Sequence, residues 1–267
     1  VMTTAWLATL PVLLVMAVLG WTYAASRHNV NIVDSLWSLF FLLAAAIYLL
    51  AGEAYELTSL GLFLLVAIWA IRLSLHLGYR NAGKAEDRRY AAMRARNPRF
   101  NGQSLVTVFS LQAVLAWLIS LPLAAALVNP AAVNYLHVAG TGLIIIGLLF
   151  EAVADWQLMR FKAQPDNKNR VLDTGLWRYS RHPNYFGEAL IWWGFYLFAL
   201  ASGAAWTIYS PVIMTFLLLK VSGVTLLEKD IHERRPAYRA YIEQTSAFIP
   251  WPPRRASARP IIEEKHS

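Results

Sequence analysis

Seven apolar stretches, each long enough to cross a bilayer, divide this chain of 267 residues at roughly 5–25, 32–50, 59–79, 104–128, 134–159, 185–203 and 206–227. A helix needs about 20 apolar residues to span the hydrocarbon core. A helix also satisfies its own backbone there, which an open strand does not. The charge between the stretches is one-sided. All of the 24 Lys and Arg except Arg27, Arg72 and Lys220 fall in 80–103, 160–181 and 228–267. The alternate loops, 51–58, 129–133 and about 204–205, carry only Glu53 and Glu56. Lys/Arg-rich loops stay cytosolic. The expectation is an all-α integral membrane protein with seven transmembrane helices, its N-terminus outside and its C-terminus cytosolic.

Composition narrows the function classes. At 57% hydrophobic residues, a soluble fold would have to hide Leu143–Leu149 and Phe216–Leu219 in an oversized core. The absence of Cys excludes disulfides, thiolate catalysis and Cys-ligated metal. The six His show no H-x-x-x-H or H-E-x-x-H spacing, so no metal site is expected. Cytosolic loops facing anionic headgroups account for the net charge of +8, so no nucleic-acid partner is invoked. Residues 1–25 lack a basic leader and read as a first span. Residues 1–253 form one membrane domain without repeats, and 254–267 read as a disordered cytosolic tail. Segment 80–103 predicts a short helix ended by Asn97-Pro98, and 228–245 a helix broken at Pro236.

Ionisable residues inside membrane spans are costly unless paired or functional. Here they are Asp34, Arg72, Glu151, Asp155, Glu188 and Lys220, each in the expected cytosolic half. Arg72, His76 and Tyr79 share one helix face. So do Glu151 and Asp155, Asn184 and Glu188, and, further on, Lys220, Glu228 and His232. Such stripes could converge on one polar cavity open to the cytosol, or serve as interhelical salt bridges and snorkelling chains. Arg160, Lys162, Lys168, Arg170, Arg178, Arg181 and His182 would make its mouth basic, suited to a ligand with several phosphates. No G-x-G-x-x-G follows a strand, so any nucleotide would be held between helices.

The most specific stretch is Thr174-Gly-Leu-Trp-Arg-Tyr-Ser-Arg-His-Pro-Asn-Tyr-Phe-Gly-Glu188. Downstream come Glu228-Lys-Asp-Ile-His232, Tyr238-Arg-Ala-Tyr241 and Thr245-Ser-Ala-Phe-Ile-Pro250. Over about 150–252 these resemble the superfamily of membrane steroid 5α-reductases and isoprenylcysteine carboxyl methyltransferases. Asn184 and Glu188, the G-L-W-R-Y run and Glu86-Asp87-Arg-Arg-Tyr90 look like the bacterial reductase-like branch. That resemblance implies NADPH as cofactor. It implies a cofactor site lined by Asp155, Lys162, Tyr179, Arg181, His182, Asn184, Tyr185, Glu188, Glu228, His232 and Tyr241. Arg170 and Lys220 are candidates from the basic mouth and the polar stripes. Tyr238 serves the site or packs beside it.

In the reductases a hydride passes to the β-carbon of an enone while an acid polarises the ketone oxygen. Relatives use a Gln-Glu pair on span 2 and a Tyr on span 3, where this chain has Asp34-Ser35 and Trp69. The catalytic candidates are therefore Asp34, with the indoles of Trp37 and Trp69 as donors. Against these stand an N-cap role for Asp34 and an interface-belt role for Trp37. Arg72 holds a phosphate or locks Asp34. The expected substrate is a steroid or other lipid enone entering from the membrane, the expected enzyme a monomer, and the expected location a bacterial inner membrane. The alternatives are an S-adenosylmethionine-dependent methyltransferase acting on a lipid or prenylated substrate, and a non-enzymatic transporter or scaffold.

Overall fold

The computed structural model describes residues 1–52, 55–221 and 237–254. Among these residues the chain is helical, with one isolated β-bridge. Five helices are long and apolar enough to cross a membrane: α1 (Met2–Arg27), α2 (Ile32–Ala51), α3 (Leu57–Asn81), α5 (Phe100–Ile119) and α7 (Tyr135–Ala163). A short helix α4 (Arg88–Arg96) precedes α5, and α6 (Leu121–Val128) follows it. Then come α8 (Pro183–Ala201), α9 (Ala205–Val221) and α10 (Ala237–Gln244). Helices α8 and α9 occupy the sixth and seventh expected stretches but are not among the five. Asn184, Glu188 and several Trp and Tyr lower the apolar character of α8, and α9 is short within the described residues. Glu228, His232 and residues 255–267 lie outside the described residues.

The chain divides into two compact units. The first comprises Val1–Ile144 with Ile191–Met214, the second Ile145–Leu190 with Thr215–Ser267. In the first, α2 packs chiefly on α3 and also on α1, α5 and α6. Helix α1 buries Ala5, Thr9, Leu13 and Ala17, a strict four-residue stripe, while Leu7, Val15 and Leu19 stay exposed. A helix that turns large apolar side chains outward as well as inward fits a lipid surround. The core of this unit is aromatic. Phe41, Trp69, Trp192 and Phe195 meet at centroid distances of 4.6 to 5.8 Å, edge to face except for the tilted Phe41–Trp69 pair. Trp6 and Trp117 stack at 3.9 Å, and each indole N–H donates to the other residue's carbonyl.

The expected fourth span, 104–128, is two helices. Proline at 122 lacks the N–H that would bond the carbonyl of Leu118, so the ladder breaks at Ser120. In an apolar surround the freed carbonyls need other donors. The Tyr209 hydroxyl donates to Leu118 O at 3.1 Å, and the Ser210 hydroxyl to Ile119 O at 2.5 Å. The buried Tyr48 and Ser120 hydroxyls meet at 2.7 Å beside the break.

Candidate functional site

Helices α7 and α8 come close because glycine lets them. In the first unit, a Cβ on Gly140 would lie 2.9 Å from the carbonyl oxygen of Gly194. In the second, a Cβ on Gly187 would lie 2.6 Å from the carbonyl oxygen of Gly147 and 2.8 Å from the amide nitrogen of Glu151. The Gly147–Gly187 contact sets the polar ends of both helices side by side. Glu151 and Asp155 on α7, and Glu188 on α8, are all buried. Asn184 donates its amide to the Asp155 carboxylate at 3.1 Å.

The start of α8 carries the Arg-His-Pro sequence. Pro183 opens the helix, where its missing N–H costs nothing. His182 is buried, its ring stacked on Tyr185 at 5.6 Å between centroids. The residues just before are locked to the end of the chain. Arg181 donates from its guanidinium to the carbonyls of Ile242 and Thr245 at 3.1 and 2.5 Å, and from its backbone N–H to Ser246 O at 2.8 Å. These carbonyls close the C-terminal end of α10, where a cation is favourable. The Tyr241 hydroxyl donates to the carbonyl of Trp177, and Ser180 Oγ to that of Phe248 at 2.7 Å. Tyr238 is buried edge-on against Tyr241 at 5.3 Å.

The turn leading into this sequence needs its glycine. Gly175 has φ +61°, and a Cβ there would strike the Gln157 side chain at 2.3 Å. Gln157 accepts from Leu176 N–H at 3.0 Å, and the Trp177 indole donates to Ala154 O at 3.1 Å, so the turn is pinned to α7. Between the turn, α10 and the last described residues opens a cleft of about 860 Å³. Arg170, Arg178 and Arg254 line it, with Asp173, Thr174, Gln244 and Tyr241. Lys162, Tyr179 and Lys220 are exposed elsewhere in this unit.

The catalytic candidates and Arg72 belong to the first unit. Trp69 is fully buried in the aromatic core, and Trp37 packs edge-on to Phe41 at 5.1 Å. Nε and Nη2 of Arg72 are shielded from solvent. Asp34 lies in the first turn of α2, with Asn31 as N-cap, so Asp34 is not the cap residue itself. Its carboxylate sits 3.6 Å from the Arg80 guanidinium and 3.4 Å from the Asn81 amide. Burial, and the Asp34 charge facing it, push the Tyr90 phenol well above its ordinary value. A strap holds this corner: Arg94 grips Glu86 through two nitrogens at 2.8 and 2.9 Å, and Glu86 also accepts from Val30 N–H at 3.0 Å. The Asn31 side chain bonds Ala85 O at 3.1 Å and Asp87 N–H at 2.8 Å.

Over residues 20–245 the chain matches a family described as protein of unknown function (DUF1295). It belongs to that family. An uncharacterized protein of Schizosaccharomyces pombe is 28% identical to it over 273 residues, covering 89% of this chain and 78% of the yeast protein. No solved structure matches.

In this DUF1295 member the structure brings Asp155 to Asn184, His182 to Tyr185, and Arg181 to the backbone of α10. Arg170 and Tyr241 both line the cleft. Sequence reasoning missed Gln244 and Arg254 in that cleft, and the Glu86–Arg94 strap. The Glu86-Asp87-Arg-Arg-Tyr90 run was the visible signal for the strap. Its acid and base eight positions apart do not share a helix, so spacing alone did not pair them.

Proposed function

We propose that this protein is a membrane-embedded, NADPH-dependent reductase of a C=C bond conjugated to a ketone in a steroid or similar lipid. The observation that carries the reading is the second unit's cleft, bordered by three arginines and one aspartate; the same unit holds the part-buried Asp155–Asn184 pair and buried Glu188. Three guanidinium groups favour a ligand with several phosphates. Buried acceptors favour ribose hydroxyls or a carboxamide. The cleft volume lies within the range of about 300–1,000 Å³ common to small-molecule sites. Arg170, Arg178 and Arg254 would hold the phosphates, and Asp155, Asn184 and Glu188 of the same unit would take the ligand's other polar groups. Bound NADPH would supply the hydride. Arg181 and Tyr241 act by fixing α10 against the turn and so keep the cleft in shape. Asp34, with Arg80, Asn81 and Tyr90 around it in the first unit, is the catalytic candidate, and to polarise the ketone its carboxyl would have to carry a proton.

The seven apolar stretches and the one-sided charge support seven crossings with the N-terminus outside and the C-terminus in the cytosol; the proposed location, by the sequence resemblance, is a bacterial inner membrane.

Two measurements test the function. In the first, purified protein is incubated with NADPH and a panel of 3-oxo-Δ4-steroids and other lipid enones. NADPH consumption that depends on an enone is expected, and none across the panel ends the reading. In the second, the melting temperature is followed with NADPH and with S-adenosylmethionine. Ligand binding to the native state raises it, and a rise with the methyl donor alone selects the methyltransferase alternative. His182→Ala and Glu188→Ala are expected to lower NADPH affinity by on the order of tenfold or more, as for a lost hydrogen bond to a charged group.

A further inference from the structure

The last described segment, 246–254, lies pinned along the surface of the second unit, with Phe248 packed on Phe186 and Ile249 and Trp251 turned outward. Trp251 is 68% exposed, Ile249 62%, and neighbouring Tyr179 43%. This exposure is built in. Trp251 N–H donates to Tyr179 O at 2.9 Å, Ser246 bridges to Ser180, and Arg254 N–H donates to Gln244 O at 2.9 Å. Three prolines, Pro250, Pro252 and Pro253, stiffen the run. Rigid, contiguous apolar exposure marks an interaction surface.

What covers it follows from its level along α7. In the second unit that helix exposes Leu149, Val153, Trp156 and Met159 and then turns basic. The guanidinium of Arg160 lies 5.4 Å over the Trp156 ring. An apolar run ending in Trp and Arg is the signature of the boundary between acyl chains and headgroups. The Gly175–Trp177 turn docks at this level, on Ala154 and Gln157 of the same helix. Tyr179 follows directly and carries Trp251 with it. Exposed Arg178 and Arg254 flank the patch, which complements anionic headgroups.

We infer that the 246–254 strap is an interfacial anchor: Tyr179, Ile249 and Trp251 enter the headgroup and upper acyl layer of an anionic lipid leaflet. The inference shares Arg178 and Arg254 with the cleft of the reductase reading, while the inserting side chains, Tyr179, Ile249 and Trp251, take no part in that cleft.

The chain has no Cys, so single labels report cleanly. Ile249→Cys and Trp251→Cys are each labelled with an environment-sensitive fluorophore in nanodiscs containing phosphatidylglycerol, with Arg96→Cys as the aqueous reference. Lipids spin-labelled near the headgroup are expected to quench both sites at least twofold more than aqueous iodide does, with the order reversed at Arg96. Iodide quenching at both sites equal to that at Arg96 overturns the anchor. Protection from lipid and iodide alike also overturns it, in favour of cover by protein, either a second copy or the residues after 254. Hydroxyl-radical footprinting of the unmodified protein in the same nanodiscs reads the same side chains without substitution. It is expected to show Trp251 oxidised several-fold more slowly than in the unfolded chain, and equal rates overturn the anchor as well.

Discussion

Glu86 ties three parts of the first unit through one carboxylate. It receives two bonds from Arg94 and one from the Val30 amide, and only a tenth of its side chain is exposed. The bonds from Arg94 hold its carboxyl below the ordinary value of 4.5. A carboxyl depressed by folding stabilises the native state above its unfolded pKa and loses that contribution as pH falls through the folded value. Glu86→Gln is therefore expected to cost about 1–2 kcal/mol at neutral pH. The gap in melting temperature between variant and parent should narrow as pH drops below 4.5. A gap that stays constant through acid pH would assign the loss to packing. Gly175 allows a second test at this scale. Gly175→Ala meets a left-handed backbone and the Gln157 amide together, and a loss of about 1–3 kcal/mol is expected. Because the turn borders the arginine-lined cleft, affinity for the proposed NADPH should fall with it.

Among the helices, the α7–α8 crossing is where one methyl group decides the outcome. At Gly187 the added carbon meets backbone atoms of Gly147 and Glu151, which a rotamer change does not relieve. At Gly142, on the same helix α7, it meets nothing within 4 Å. Gly187→Ala should destabilise. Gly142→Ala should leave the melting temperature unchanged or raise it by the helix-propensity gain of about 1 kcal/mol at most. Equal effects at the two positions would show that propensity, and not the close approach, governs this pair. The crossing also marks what the sequence could reveal. The five long helices were legible because lipid demands uninterrupted apolar length. The break at Ser120 was written in Leu121-Pro122, yet its tolerance depended on Tyr209 and Ser210, about 90 residues away. The Arg-His-Pro sequence stood out, but Arg181 was expected to face a cofactor. Its guanidinium also bonds the end of α10, where the partial negative charge of the helix terminus favours a cation and no local sequence signal announces the pairing.

For the molecule as a whole, the topology yields to the same Cys-free background used above. Glu56→Cys and Arg96→Cys are both exposed positions on loops expected to face opposite sides. In intact cells an impermeant maleimide should label Glu56→Cys and spare Arg96→Cys until the membrane is opened. Labelling of both in intact cells would break the seven-crossing orientation. The anchoring groups of the second unit also bear on how the chain is made. Arg181 finds its carbonyl partners 61 and 64 positions further on. A ribosome adds about 5–20 residues per second, so for some seconds this guanidinium has left the exit tunnel while Ile242 and Thr245 do not yet exist. Through that interval the bonds that close the Arg-His-Pro corner cannot form, and they wait on the end of α10 and the strap together.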